Sequence, residues 1–137
     1  MNYDRDNKIW RVLGPLFAYL GIRFLVDFSY PKELQIDVYD IGVVLNNALE
    51  NAINACESLE PAKRFIEIIV LTNPCFMFQI RNSYNGIIAF DENEIPISPK
   101  KGHGFGTQSI VTFCEKNRAD YEFKANEEYF ALRVSFH

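Results

Sequence analysis

Positive charge is scarce in this chain. Its 137 residues include 14 lysines and arginines against 18 aspartates and glutamates, so the net charge at pH 7 is −4. Nucleic-acid binding depends on clustered basic side chains that neutralise phosphates. The composition provides no general basic field of this kind, and we expect no nucleic-acid partner.

Cysteine is also sparse, and its pattern carries no pairing signal. Cys56, Cys75 and Cys114 are odd in number and form no Cys-x-x-Cys motif, the spacing typical of zinc sites and redox centres. Neither a disulfide framework nor a zinc site is predicted. Reduced thiols in the cytoplasm fit this usage best.

No apolar run is long enough to cross a membrane. The most apolar stretch, 12–28, is interrupted by Gly14, Pro15, Arg23 and Asp27, and it falls short of the roughly 20 apolar residues that a bilayer-spanning helix needs. The polar start of the chain lacks the apolar core of a signal peptide. We expect no direct membrane insertion and a cytoplasmic location.

Apolar residues are nevertheless plentiful. Hydrophobic residues make up 48% of the chain and aromatic residues 15%, far from the composition of disordered chains. A chain of this length can bury one core but is too short for two domains of ordinary size. We expect one domain over 22–137, preceded by a linker and N-terminal helix region over 1–21.

One long amphipathic helix dominates the pattern. Asp37 is a plausible N-cap and Glu60-Pro61 marks the end. Before it, an apolar run over 22–29 predicts a first strand. Within the helix, apolar residues recur every three or four positions and form a stripe that must pack on a sheet: Ile41, Val44, Leu45, Ala48, Leu49, Ala52 and Ile53.

A hairpin and a long loop follow the helix. The runs 65–72 and 75–82 are strand-like, and Asn73-Pro74 between them predicts a tight two-residue turn. Residues 83–106 are rich in Gly, Pro, Ser, Asn and Lys, which predicts a loop of the length that often forms a functional lid.

The C-terminal part returns to regular structure. A second helix is predicted over 105–117, followed by strands over 121–125 and 129–136. Together, the predicted helices and strands indicate an α+β fold, a two-layer α/β sandwich with a mixed, mostly antiparallel sheet and helices on one face.

Four asparagines lie within nine residues of the long helix. Asn is a poor helix former because its amide competes for backbone hydrogen bonds. Asn47, Asn51 and Asn54 stand at i, i+4 and i+7, which places their amides on one face opposite the apolar stripe. Amide oxygens suit a hard cation such as Mg²⁺, which also binds nucleotide phosphates. A solvated polar face explains the spacing equally well.

A glycine-rich segment opens the second helix. Gly102, Gly104 and Gly106 alternate after Lys100 and Lys101. Glycines let the backbone approach an anion closely, and the helix start supplies unpaired N–H groups. The segment matches neither the dinucleotide fingerprint nor the P-loop. It favours phosphate binding, with a flexible hinge or helix cap as the alternative.

Together these segments resemble the Bergerat-fold (GHKL) ATP-binding superfamily. The Asn-x-x-x-Asn-Ala helix and the later Gly-His-Gly-Phe-Gly are similar to its N box and second glycine box. Within the superfamily, the chain resembles the catalytic domains of sensor histidine kinases of the peptide-pheromone quorum-sensing type. The matching blocks are 46–57, 80–86 and 101–110.

The resemblance implies a protein-histidine kinase that binds ATP and Mg²⁺. Asn51 would ligate the metal, Asn47 would lie near the phosphates as the catalytic-site amide, and Asn54 would follow one turn later. The γ-phosphoryl group would pass to a histidine on a separate dimerisation domain and then to a response regulator. ATP-hydrolysing relatives have a glutamate base where Asn47 stands, so the amide predicts transfer over hydrolysis. The isolated domain is expected to be a monomer or weak dimer.

The first glycine box departs from the family pattern Asp-x-Gly-x-Gly. Asn82 stands where the aspartate accepts a hydrogen bond from the adenine amino group, and it can accept through its carbonyl oxygen without a charge. The resemblance further implies an ATP lid over 86–106. Its nucleotide-binding positions would be Gly86, Lys101, Gly102, His103, Gly104, Phe105 and Gly106.

Neither histidine suits the role of phosphoacceptor. His103 lies between glycines of the predicted lid, where it contacts phosphate or shapes the loop, and His137 is the last residue. In the family, the accepting histidine lies on a helix pair N-terminal to the catalytic domain. Two other functions compete with the kinase: a regulatory module with a degenerate nucleotide pocket that binds a partner protein, as anti-sigma-factor kinases do, and a gyrase-like ATPase.

Overall fold

The computed structural model of the chain describes residues 21–28, 36–72, 74–97 and 105–136. Apart from Gly21, the predicted N-terminal linker and helix region lies outside these residues. Within them the elements follow in this order: β1 (Arg23–Phe28), α1 (Val38–Glu57), a 3₁₀ helix (Pro61–Lys63), β2 (Phe65–Leu71), β3 (Phe76–Ser83), β4 (Ala89–Phe90), β5 (Pro96–Ile97), α2 (Phe105–Lys116), β6 (Asp120–Ala125) and β7 (Tyr129–Phe136).

Five strands form one sheet in the order β1-β2-β3-β7-β6. β1 and β2 pair in parallel, since the chain crosses over through α1 between them. The other three pairings are antiparallel. The predicted mixed, mostly antiparallel sheet is therefore confirmed.

Helix α1 begins and packs as its sequence pattern predicts. The Asp37 side chain accepts a hydrogen bond from the Tyr39 N–H at 2.9 Å, which caps the first turn. Residues at three- and four-residue spacing are buried against the sheet: Ile41, Val44, Ala48, Ala52 and Cys56. They share one core with alternate residues of β2 and β3, including Ile66, Ile68, Phe78 and Ile80.

Helix α2 closes the same core at its other end. Ile110, Val111 and Phe113 are buried with it. The ring of Phe136 lies 5.2 Å from that of Phe76 and 5.9 Å from that of Phe113, measured between ring centroids. Aromatic packing thus joins α2 to β3 and β7.

The opposite face of the sheet carries polar pairs. The Arg81 guanidinium lies 3.1 Å from the Glu67 carboxylate across β2 and β3. Arg133 donates to Gln79 at 2.9 Å across β7 and β3. This alternation of apolar and polar faces is the pattern of a sheet covered by helices on one side.

The β2–β3 connection is wider than predicted. Four residues, 72–75, separate the strands, and Leu71 faces Met77 in the last pair. The prediction of a two-residue turn is therefore wrong. Pro74 has no N–H to contribute to a ladder, so β3 begins two residues beyond it, at Phe76, and its pairing with β2 begins at Met77.

Part of the loop predicted over 83–106 has regular structure. β4 and β5 form a small antiparallel ladder, with Ala89 facing Ile97. The Asp91 carboxylate accepts hydrogen bonds from the N–H groups of Asn93 (2.8 Å) and Ile95 (3.0 Å) and closes the turn between them. The expectation of a loop without regular structure is wrong for this part.

None of the helices within the described ranges combines the length and apolar character needed to cross a membrane.

Two of the three cysteines belong to the core. Cys56 and Cys114 are fully buried, whereas Cys75 is partly exposed. Burial raises the pKa of Cys114 to about 12, and the negative charge of Glu115 adds to the rise. Burial also raises the pKa of Cys56, against smaller opposing effects of its hydrogen bonds with Ser83 and Phe65. Both core thiols are protonated at neutral pH.

We expect iodoacetamide at about pH 8 to alkylate Cys75 well before the two core thiols. The thiolate is the reactive form, and a raised pKa lowers its fraction at any given pH, while burial also blocks the reagent. Mass spectrometry of digested protein gives the three rates, with guanidinium-unfolded protein as the control in which all three react. Alkylation of Cys114 as fast as Cys75 in the folded chain would contradict the placement of α2.

Candidate functional site

A cleft opens between α1, the start of α2 and the centre of the sheet. The cleft is small: its cavity volume is about 20 Å³, far below the ~300–1,000 Å³ of pockets that bury whole ligands. Three polar residues line it: Asn51 of α1, Asn82 of β3 and Thr107 of α2. The remaining lining residues are apolar: Ala48, Ile80, Ile110, Phe123, Phe130 and Leu132.

The apolar wall includes a pair of stacked rings. Phe123 of β6 and Phe130 of β7 have centroids 6.0 Å apart and planes inclined by 25°. Ile80 and Leu132 are buried beside them. An apolar wall that includes aromatic rings suits a planar aromatic group, which gains dispersion energy and loses contact with water there.

The Asn82 side chain is buried and its orientation is fixed. Only 2% of the residue is exposed, and its Nδ2 donates to the Ser83 carbonyl oxygen at 2.9 Å. An amide nitrogen must face a carbonyl, so the positions of Oδ1 and Nδ2 follow from this contact. Among the described residues none donates to Oδ1, which leaves an acceptor for a ligand in the cleft.

The three predicted helix amides do not share one environment. Asn51 is exposed and lines the cleft. Asn47, one turn earlier, donates through Nδ2 to the Ser109 hydroxyl of α2 at 3.1 Å and does not line the cleft. Asn54 is exposed to solvent away from it. The geometry thus brings Asn51 to the cleft, while the phosphate-side roles of Asn47 and Asn54 stay predictions.

The glycine-rich segment ends in the first turn of α2. Lys101 to Gly104, including His103, lie outside the described residues, and Phe105 and Gly106 form the first turn of α2. Thr107 in that turn lines the cleft. The positive end of the α2 dipole therefore adjoins the cleft, as the predicted phosphate role requires.

Gly86 has a conformational role in this structure. Its φ of +81° lies in the left-handed region, and a Cβ there would stand 3.3 Å from the Glu127 carbonyl oxygen. The residue therefore lies against the β6–β7 turn and not among the residues that line the cleft. Its predicted nucleotide contact stays a prediction.

A carboxylate metal centre is not present near the cleft. Within the described part of the chain, no group of three or more His, Cys, Asp and Glu residues is placed to hold a metal ion. The amide oxygen of Asn51 is nevertheless a hard ligand of the kind Mg²⁺ prefers. One protein oxygen fits Mg²⁺ in a nucleotide complex, because the ion keeps waters and phosphate oxygens as its other ligands.

The sequence did not predict several residues in and beside the cleft. Thr107, which lines it, and Ser109, the partner of Asn47, carry no motif of their own. Phe123 and Phe130 were assigned only to strands, although the charged neighbours of Phe123 on either side mark an inward face at that position. Only the pairing of β6 with β7 shows that these two rings meet.

A sequence comparison assigns most of the chain to one family. The family model described as the GHKL domain matches residues 36–137. This range contains every described residue that lines the cleft. No curated protein matches the chain in sequence.

Solved structures of similar fold include histidine kinases. The catalytic domain of histidine kinase ThkA shares 17% identity over 94% of this chain and 86% of its own, with a TM-score of 0.70. Mycobacterial sensor histidine kinase MprB shares 16% identity over 93% of this chain and 91% of its own (TM-score 0.68). Acinetobacter baumannii histidine kinase AdeS shares 16% identity over 95% of this chain and 62% of its own, with a TM-score of 0.63. At these identities the likeness shows the fold.

Proposed function

This chain belongs to the GHKL domain family, and on that premise we propose that it is the ATP-binding catalytic domain of a sensor histidine kinase. The observation that carries the proposal is the convergence of Asn51, Asn82 and the first turn of α2 on one cleft. These three elements are far apart in sequence, and each supplies a group that a different part of MgATP requires.

The sheet side of the cleft suits the adenine ring. Phe123, Phe130 and the aliphatic residues beside them supply an apolar wall. The free Oδ1 of Asn82 accepts a hydrogen bond from the adenine amino group. One such hydrogen bond contributes about 0.5–1.5 kcal/mol to binding.

The helix side suits the phosphates. The Asn51 oxygen is the magnesium ligand, and the N–H groups at the start of α2 face the anionic chain. The lid residues Lys101 to Gly106, with His103 among them, complete the phosphate contacts by resemblance to the family. Bound Mg²⁺ neutralises charge on the phosphates. The chain itself orients the nucleotide and excludes water from its base.

The γ-phosphoryl group then passes to a histidine nitrogen outside this chain. The bond from γ-phosphorus to the β,γ-bridging oxygen breaks, a phosphorus–nitrogen bond forms, and ADP leaves. The acceptor is on the dimerisation domain of the parent kinase, and a response regulator receives the group next. Asn47, tied to Ser109 at 3.1 Å, offers no base to activate water.

The remaining assignments follow the same resemblance. The catalytic domain extends over 22–137 behind a linker at 1–21, works in the cytoplasm as a monomer or weak dimer, and belongs to a sensor of the peptide-pheromone quorum-sensing type. The neutral Asn82 is the observation that favours the competing function, a regulatory module that no longer binds nucleotide. Nucleotide titration separates the two.

Titration of the chain with a non-hydrolysable MgATP analogue is expected to shift the backbone amide resonances of Asn51, Asn82 and Thr107. Asn51→Ala should weaken magnesium-dependent binding about tenfold, which corresponds to the loss of one metal ligand, roughly 1.4 kcal/mol. NMR and isothermal titration give the residues affected and the dissociation constant.

Asn46→Ala is the matched control, because Asn46 is an exposed asparagine of the same helix outside the cleft and its loss should leave the affinity within about twofold of the original. Shifts confined to residues away from the cleft, or no binding at all, would favour the regulatory module.

The isolated chain should not turn over ATP above the rate of a protein-free blank. Neither Asn47 nor Asn51 can accept a proton from water at neutral pH, so hydrolysis lacks a general base at these positions. A coupled assay for ADP release measures the rate. Turnover that Asn47→Ala abolishes would support a gyrase-like ATPase in place of the kinase.

A further inference from the structure

The neutral side chain at position 82 raises a problem that an aspartate would not have. A carboxylate presents an acceptor oxygen in either orientation about its last torsion. An amide presents an acceptor in one orientation and a donor in the other. With Nδ2 turned into the cleft, Asn82 would attract the 6-oxo group of guanine or hypoxanthine and repel the 6-amino group of adenine.

The Ser83 carbonyl oxygen resolves this ambiguity. It receives the Asn82 Nδ2–H at 2.9 Å, and a flipped amide would place oxygen against oxygen at that distance. Such a contact is repulsive and leaves a buried donor unpaired, which proteins avoid. The acceptor orientation of Asn82 therefore depends on the position of the Ser83 carbonyl oxygen.

The Ser83 side chain holds the carbonyl in place from the β2 side. Ser83 is 4% exposed, and its hydroxyl accepts a hydrogen bond from the Phe65 N–H at 2.9 Å. The β2–β3 pairing ends with Ile66 opposite Asn82, and its register would place Ser83 opposite Phe65 in the next position. The Ser83 hydroxyl thus provides a hydrogen bond between β2 and β3 at the point where main-chain pairing ends.

The last turn of α1 holds the same point from the helix side. The Cys56 thiol is fully buried and lies 3.8 Å from the Ser83 carbonyl oxygen, 3.7 Å from its hydroxyl and 3.5 Å from the Phe65 carbonyl oxygen. These are the contacts of a weak sulfur donor with several acceptors. They tie α1, β2 and β3 together next to Asn82.

We propose that Ser83 and Cys56 are positioning residues that fix the Asn82 amide with its oxygen toward the cleft and so make the site selective for 6-aminopurine nucleotides. This inference rests on the proposed nucleotide function. It assigns the selectivity to the junction next to Asn82, which consists of Ser83, Cys56 and Phe65. This junction takes the place of the negative charge that the aspartate of the family pattern would provide.

The test compares binding of ADP and inosine diphosphate, both with Mg²⁺, to the full chain and to its variants. The two ligands differ only in the purine 6-substituent and the N1 proton that accompanies it. The original chain should bind ADP about 10- to 100-fold more tightly, the range expected for leaving buried polar groups unpaired or opposed. Isothermal titration gives both constants.

Ser83→Ala should reduce this preference to within about threefold, with inosine diphosphate affinity unchanged or increased, because the amide can now turn. Cys56→Ala should reduce it less, and Cys56→Ser, which keeps a donor at the site, should restore most of it. If Ser83→Ala does not fold, the comparison of Cys56→Ala with Cys56→Ser tests the inference. Thermal unfolding of each variant reports folding separately.

A purely structural role for the junction predicts something else: both affinities fall by the same factor and their ratio stays constant. That result in Ser83→Ala, or in Cys56→Ala, would overturn this inference and leave the proposed function intact. Failure of the original chain to bind ADP would overturn the proposed function, and the inference with it.

Discussion

The packing of α1 on the sheet is the constraint on which the site depends. Its buried stripe runs through Ala48 and Ala52, whose small side chains let the helix lie close to β3. Ala48 itself lines the cleft. A larger residue there would fill the space that the apolar wall encloses, so the cleft exists because the helix contact is made by small side chains at this level. Asn51, beside Ala52, is thereby placed at the rim.

A neutral residue at position 82 is consistent with its burial. A carboxylate that is 98% removed from solvent would have to be paired or strongly hydrogen-bonded to remain charged. An amide avoids this cost, but it gains an orientation that something else must fix. The junction of Cys56, Ser83 and Phe65 supplies fixed main-chain acceptors at that point. A neutral side chain at position 82 therefore avoids the cost of burying a charge but requires neighbours that fix its orientation.

Sequence periodicity predicted the elements well and the contacts between them poorly. The cap at Asp37 and the stripe of α1 are local properties, and the helix begins at Val38 as expected. Asn47 and Asn51 are equivalent in the same pattern, yet α2 covers the first with Ser109 and leaves the second at the cleft. Helical spacing places two side chains on one face but does not say which neighbouring helix lies over each.

Strand order explains why the aromatic wall could not be seen in the sequence. Asn82 and Phe130 face each other across β3 and β7 although 48 residues separate them, and Phe123 joins them through the β6–β7 pairing. The side of the cleft that we propose for the base is thus set by the register of the sheet. The side proposed for the phosphates is set by α1 and by the start of α2. Because different elements build the two sides, base selectivity and metal-dependent affinity can change independently in this fold.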